Sequence, residues 1–216
     1  MRAYDAAIFD LDGTLLDTSE GIRKSIAYAI EELGLSPLSD EVIRTFIGPP
    51  IQRSFARVYG MDKKEADAAA AVFRDRYKGD DLLLAKPYDG MIETLRTLRD
   101  NGVATAVATY KRQDYAQRLL SHYGFDKVSD AIFGSDFEGV LTKKDIIENA
   151  INAVSSDRSR VVMIGDSDND AEGAAQADVS FIGVTYGFGF AAKEDIEKYP
   201  HVFVADTPKD IAGFIL

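Results

Sequence analysis

Along the chain, short apolar runs alternate with stretches in which apolar positions recur every three or four residues. The runs at residues 6–9, 103–108, 131–133, 161–164, 179–184 and 202–204 are mostly unbroken apolar segments. That is the pattern of strands covered on both faces. Between them lie helical patterns. Residues 91–100 end at Asn101-Gly102, a stop signal, and residues 113–123 end at Gly124. Ile146, Ile147, Ala150, Ile151 and Val154 make one apolar face. Strands alternating with helices predict an α/β fold with a doubly wound, Rossmann-like parallel sheet.

Residues 18–86 break the alternation and contain no convincing strand. Ile22, Ile26, Ile30 and Leu33 recur at helical spacing, as do Ala66, Ala70, Phe73 and Tyr77. Ser39 before Asp40 and Glu41 reads as a helix start, and Asp62 with Glu65 resembles a capping box. A segment this long is not a simple loop. The expectation is a core of residues 1–16 and 87–216, with a cap of about four helices at 17–86 and hinges near residues 16–18 and 85–88.

Composition narrows the function. With 46% hydrophobic residues, the 216-residue chain can bury a real core. Its net charge of -11 disfavours nucleic acid and anionic membranes as partners, although a local cluster of lysines and backbone N–H groups can still hold a small anion. The absence of cysteine excludes disulfides and thiolate catalysis, and fits a cytoplasmic protein. The apolar stretch at residues 6–16 is broken by Asp10 and Asp12, so neither a signal peptide nor a membrane span is expected.

Ligands of open parallel sheets bind beyond the C-terminal ends of the strands. There the first strand runs into Asp10-Leu11-Asp12-Gly13-Thr14, the second into Thr109-Tyr110-Lys111, and the fourth into Gly165-Asp166-Ser167-Asp168-Asn169-Asp170; Lys143 and Lys144 open a later helix. Clustered carboxylates repel unless a cation holds them, and hard oxygen donors select Mg²⁺. Gly13 lets the chain turn and brings N–H groups toward a ligand. The acids at 166, 168 and 170 imitate a calcium loop, but Ala171 and Ala177 stand where such a loop needs Gly and Glu. Gly187-Phe188-Gly189 with Ala192 imitates a dinucleotide fingerprint, but so late in the sheet it reads as a plain loop.

DLDGT, a threonine ending the second strand, a lysine opening a later helix and GDSDND together resemble the four motifs of the haloacid dehalogenase superfamily of phosphatases. The strings at residues 46–55 (FIGPPIQRSF) and 181–189 (FIGVTYGFG) resemble its phosphoglycolate phosphatase-like branch. The resemblance implies Asp10 as nucleophile and Asp12 as general acid and base. It implies Mg²⁺ held by the Asp10 carboxylate, the Asp12 carbonyl oxygen and Asp166, with Asp170 supporting that shell. Gly13, Thr109 and the Tyr110 N–H would hold phosphate oxygens, and Lys143, favoured over Lys144 by its spacing to Ile146-Ile147, would neutralise charge. An acid at position 12 separates phosphate transfer from the family's dehalogenase and phosphonate-cleaving branches.

The expected function is a Mg²⁺-dependent phosphomonoester hydrolase acting on a small cytosolic phosphometabolite. A phosphomutase of the β-phosphoglucomutase type is the alternative, and a non-catalytic binding module a weaker one. Gln52 and Arg53, after the FIGPP turn, are candidate substrate contacts. A monomer or dimer is expected.

Overall fold

The computed structural model describes residues 3–155 and 157–216. The chain opens with β1 (Ala6–Phe9) and the two-residue β2 (Leu16–Asp17). Helices α1 (Ser19–Glu32), α2 (Asp40–Arg44), α3 (Ile51–Tyr59) and α4 (Lys63–Tyr77) follow, then a 3-10 turn at Asp80–Leu83 and β3 (Lys86–Pro87). The rest alternates: α5 (Met91–Asp100), β4 (Ala104–Arg112), α6 (Gln113–His122), β5 (Ala131–Ser135), α7 (Lys143–Val154), β6 (Val161–Gly165), α8 (Asp168–Gln176), β7 (Ser180–Val184), α9 (Lys193–Ile196), β8 (Phe203–Ala205) and α10 (Pro208–Ile215).

Six strands form one sheet in the order β5-β4-β1-β6-β7-β8, with every pair parallel. The unbroken apolar runs have a direct physical reason. Ala6, Ile8, Ala106, Val161 and Met163 belong to one core cluster with Ile146, Ile147, Ala150, Ala171 and Ala174 of α7 and α8. The alternate residues Ala7, Phe9, Val107, Val162 and Ile164 are fully buried too. Both faces of these strands are therefore covered, and alternation gives way to continuous hydrophobicity. The chain leaves β1 toward β4 on one side and later returns to β6 on the other. This puts the topological switch point at the C-terminal end of β1.

The largest departure from the sequence pattern is in one strand. The second long strand was expected to stop at residue 108, but β4 continues to Arg112, with a register irregularity between Ala108 and Arg112 before Arg112 pairs with Ser135. Its last four residues look like a turn in sequence because they are polar or aromatic. In the fold they continue the strand through that irregularity until Arg112 pairs again, and an irregularity of this kind re-aims side chains, here Thr109 and Lys111 into buried positions.

The chain divides into two compact units, one of Met1–Leu16 with Pro87–Leu216 and one of Asp17–Lys86. In the second, α1 and α3 each pack on α4. Ile22, Ile26 and Ile30 are buried, as are Ala66, Ala70, Phe73 and Tyr77. Ser39 caps α2 by accepting from the Val42 N–H, and Asp62 and Glu65 form a reciprocal capping box on α4. Buried Asp81 accepts from Arg76 Nε at 2.7 Å and from Ser25 Oγ at 3.1 Å. No helix among the described residues is long and apolar enough to cross a membrane.

Candidate active site

The turn after β1 is tightly tied. The Asp10 N–H donates to the Ile164 carbonyl of β6 at 2.9 Å, and the Leu15 and Leu16 N–H groups both donate to the Leu11 carbonyl at 3.0 Å. Gly13 has φ of 87°, a left-handed conformation that favours glycine. A Cβ on Gly13 would also overlap the Asp166 carboxylate, so the close approach of this turn to the end of β6 requires glycine twice over.

Two buried lysines divide the acids between them. Lys143, at the start of α7, places Nζ 2.6 Å from Asp10 Oδ1 and 2.7 Å from Asp170 Oδ1. The Thr142–Asp145 capping box fixes where that helix begins. The Lys143 N–H donates to the Tyr110 hydroxyl at 2.9 Å, and the Tyr110 ring lies 5.7 Å from Nζ. The Tyr110 side chain thus seats the lysine. Lys144 is exposed. The second lysine, Lys111, was not among the expected site residues. Its Nζ lies 2.8 Å from Asp12 Oδ1, and its side chain is only 5% exposed. Its N–H donates to buried Thr109 Oγ1 at 3.1 Å.

Asp166 is held from the far side by the segment after β7. The N–H groups of Phe188 and Gly189 donate to Asp166 Oδ2 at 2.7 and 3.1 Å, and the Phe190 N–H donates to the Asp166 carbonyl at 2.7 Å. A Cβ on Gly187 would overlap Asp166. The string that imitates a dinucleotide fingerprint is therefore a cradle for a carboxylate, and its paired glycines were the visible signal. Asp170 Oδ2 accepts from the N–H and hydroxyl of Ser167 at 3.1 and 2.6 Å, while its buried Oδ1 forms an ion pair with Lys143 but accepts no hydrogen bond among the described residues. Asp168 is exposed. Gln52 and Arg53 lie on α3 in the helical unit, where Gln52 Oε1 accepts from Arg74 at 2.8 Å and Arg53 is exposed.

Four buried carboxylates (Asp10, Asp12, Asp166, Asp170) meet two buried ammonium groups (Lys111, Lys143). Fully ionised, the site carries two uncompensated negative charges. The strain shows in its titration. Burial pushes the Asp10 carboxyl from 3.8 up to about 7; Lys143 pulls it down, while Asp170 and Asp12 add repulsion. Burial, then Asp170 and Asp10, hold Asp166 well above the ordinary range despite its two N–H donors. Burial alone would lower Lys143, but Asp10 and Asp170 outweigh it and hold the ammonium above its ordinary value. Asp10, Asp166 and Asp170 each offer one carboxylate oxygen within 4.8 Å of the others. An all-oxygen set with two spare negative charges suits a small, hard divalent cation.

A family model described as haloacid dehalogenase-like hydrolase matches residues 7–184. The chain is 36% identical over 187 residues to a 5'-nucleotidase of Pseudomonas aeruginosa, covering 86% of this chain and 85% of that protein. It is 33% identical over 207 residues to a phosphoglycolate phosphatase of Agrobacterium fabrum, covering 93% and 88%. Among solved structures, a predicted phosphatase from Clostridium acetobutylicum superposes with a TM-score of 0.91 at 33% identity, covering 97% of each chain.

Proposed function

The chain belongs to the haloacid dehalogenase-like hydrolases, and from that premise we propose that it hydrolyses a small phosphomonoester through an aspartyl-phosphate on Asp10, with Mg²⁺ as its cofactor. Phosphatase activity is the common property of the named relatives, and a 5'-nucleotide or a small phosphorylated acid is the substrate class they suggest. The observation that carries the reading is that Asp10 and Asp12 stand side by side at the switch point, each paired to its own buried lysine.

In the first step an Asp10 carboxylate oxygen attacks phosphorus, and the bond from phosphorus to the leaving oxygen breaks as Asp12 gives that oxygen a proton. In the second, water attacks the aspartyl-phosphate. Asp12 takes a proton from it, the bond between Asp10 and phosphorus breaks, and inorganic phosphate leaves. Lys143 lowers the repulsion between the Asp10 carboxylate and an incoming phosphate dianion. Thr109 Oγ1 and the Tyr110 N–H are the donors assigned to its oxygens. Asp10 and Asp166 would hold Mg²⁺ with the Asp12 carbonyl oxygen, and the bound ion supplies the positive charge that the two lysines do not. Asp170 serves through Lys143 and the Ser167 turn.

The test is phosphate release from a panel of nucleoside monophosphates, sugar phosphates and phosphoglycolate. Release with Mg²⁺, lost in EDTA and restored by excess Mg²⁺, is expected. A folded protein that releases phosphate from no ester sinks the reading. Hexose phosphate isomers formed without free phosphate would make it a mutase.

The Asp166 cradle gives a second expectation. Gly187→Ala should lower kcat/KM by ~100-fold, the scale of loss when a reacting group is displaced by about 1 Å, and should raise the Mg²⁺ concentration needed for half activity. Gly213→Ala on α10, where a Cβ meets nothing within 4 Å, is the control. It should leave activity unchanged and add roughly 0.5–1 kcal/mol of stability.

A further inference from the structure

We propose that Lys111 is a positioning residue for the proton transfers made by Asp12, acting by holding Asp12 Oδ1 so that the carboxyl group keeps one orientation toward the leaving group. This rests on the reading of Asp12 as acid and base given above.

A lysine three residues beyond the expected end of a strand is ordinarily solvated. Here β4 runs on, and Thr109 and Lys111, two apart on it, are both buried. The Lys111 N–H donates to Thr109 Oγ1, so the lysine backbone and the threonine assigned to phosphate are one rigid piece. Gly134 on the neighbouring β5 would clash with the Lys111 carbonyl if it carried a Cβ, so that backbone is also closely packed from the side. The ammonium then reaches across to β1's turn and pairs with Asp12 at 2.8 Å. Tyr110, which lies between Thr109 and Lys111 in sequence, instead supports Lys143 through its hydroxyl. The end of β4 therefore serves both lysines. It seats the one paired with Asp10, and it supplies the one paired with Asp12.

The division of labour has a chemical reason. Lys143 touches Asp10, the group that meets phosphorus, and Asp170, which supports it. Asp12 must instead face the leaving oxygen and then the incoming water. A carboxyl group free to rotate would present either oxygen in many directions, and proton transfer falls steeply when the donor is misplaced. Lys111 touches neither substrate nor nucleophile in this scheme. Its effect passes through Asp12.

The experiment compares two esters in single-turnover measurements of the phosphorylation step. One is the alkyl phosphate cleaved best in the panel, whose leaving oxygen needs a proton. The other is 2,4-dinitrophenyl phosphate, whose leaving group departs without one. Lys111→Met is expected to slow the alkyl ester by ~100-fold and the dinitrophenyl ester by less than ~3-fold, as loss of general acid assistance requires. KM should change little, and Lys111→Arg should recover most of the loss. Asp12→Asn should show the same selectivity, and Lys111→Met should add no further loss in that background. If Lys111→Met does not fold, the double variant Lys111→Met/Asp12→Asn, which removes both charges, carries the comparison against Asp12→Asn alone.

Equal losses on both esters, a loss confined to KM, or a further loss in the Asp12→Asn background would overturn the role of Lys111 while leaving Asp12 in place. If Asp12→Asn itself does not distinguish the esters, the reading of Asp12 fails, and the role of Lys111 with it.

Discussion

Replacing Asp10 by asparagine is expected to abolish phosphate release and, in the absence of metal, to raise the melting temperature above pH 7. The amide keeps the shape of the carboxyl group but cannot form the acyl phosphate, so kcat should fall by on the order of 10⁴-fold or more, as for other lost nucleophiles. The stability effect follows from the raised carboxyl of Asp10. Below pH 3.8 the group is protonated in both folded and unfolded chains and costs nothing. Between 3.8 and about 7 the unfolded chain releases the proton while the folded chain keeps it. The stability that Asp10 contributes is therefore fully present at low pH and is lost as pH rises through about 7. Asparagine does not titrate. At pH 8 in EDTA the variant should be the more stable protein by on the order of a few kcal/mol, since one pKa unit is about 1.4 kcal/mol. For a chain of this size each kcal/mol raises the melting temperature by roughly 2–4 °C. The gap should narrow at pH 5, and excess Mg²⁺ should favour the wild type. Thermal melts at the two pH values, with and without Mg²⁺, check this. A variant that melts below wild type at pH 8 in EDTA would mean that Asp10 is not strained in the folded state.

The same residues show what could be read before folding and what could not. The sheet was legible because strands covered on both faces must be apolar throughout, as Ala6, Ala7, Ile8 and Phe9 are. The capping box at Asp62 and Glu65 is a local device and was equally visible. The end of β4 was not, because Thr109, Tyr110, Lys111 and Arg112 are there for what they reach rather than for burial in a core. Lys111 owes its burial to Asp12, 99 positions earlier, and no local pattern announces that pairing. The cradle around Asp166 was not legible. Gly187 and Gly189 read as a plain loop, and only the packing of β7 beside β6 brings their segment against Asp166. Asp170 stands where its acidic string suggests: one of its carboxylate oxygens lies within 4.8 Å of one each from Asp10 and Asp166, beside its contacts to the Ser167 turn and Lys143.

Removing the cation at the centre of the site should have the opposite effect on stability to removing the nucleophile. Lys143→Met keeps the length of an unbranched apolar stem and deletes the charge between Asp10 and Asp170. Breaking a buried pair from one side typically costs about 3–5 kcal/mol, because the remaining charge is left unpaired. The metal-free variant should therefore melt well below wild type at pH 8. At pH 5 Asp10 is protonated in the folded chain, so the missing cation matters less and the two melting curves should draw together. Activity should fall by ~10²–10³-fold, the scale seen when a preorganised charge or donor at a reacting oxyanion is lost. Lys143 is the group that pulls the Asp10 carboxyl down. Without it Asp10 holds its proton to higher pH, so the residual activity should rise further into the alkaline range than that of wild type. The double variant Asp10→Asn/Lys143→Met separates pairing from packing. If the loss in Lys143→Met comes from a stranded carboxylate, taking that carboxylate away must return much of the melting temperature while activity stays absent. A double variant no more stable than Lys143→Met alone would assign the loss to the packing of the lysine stem against α8, where Gly173 leaves it room, and not to its charge.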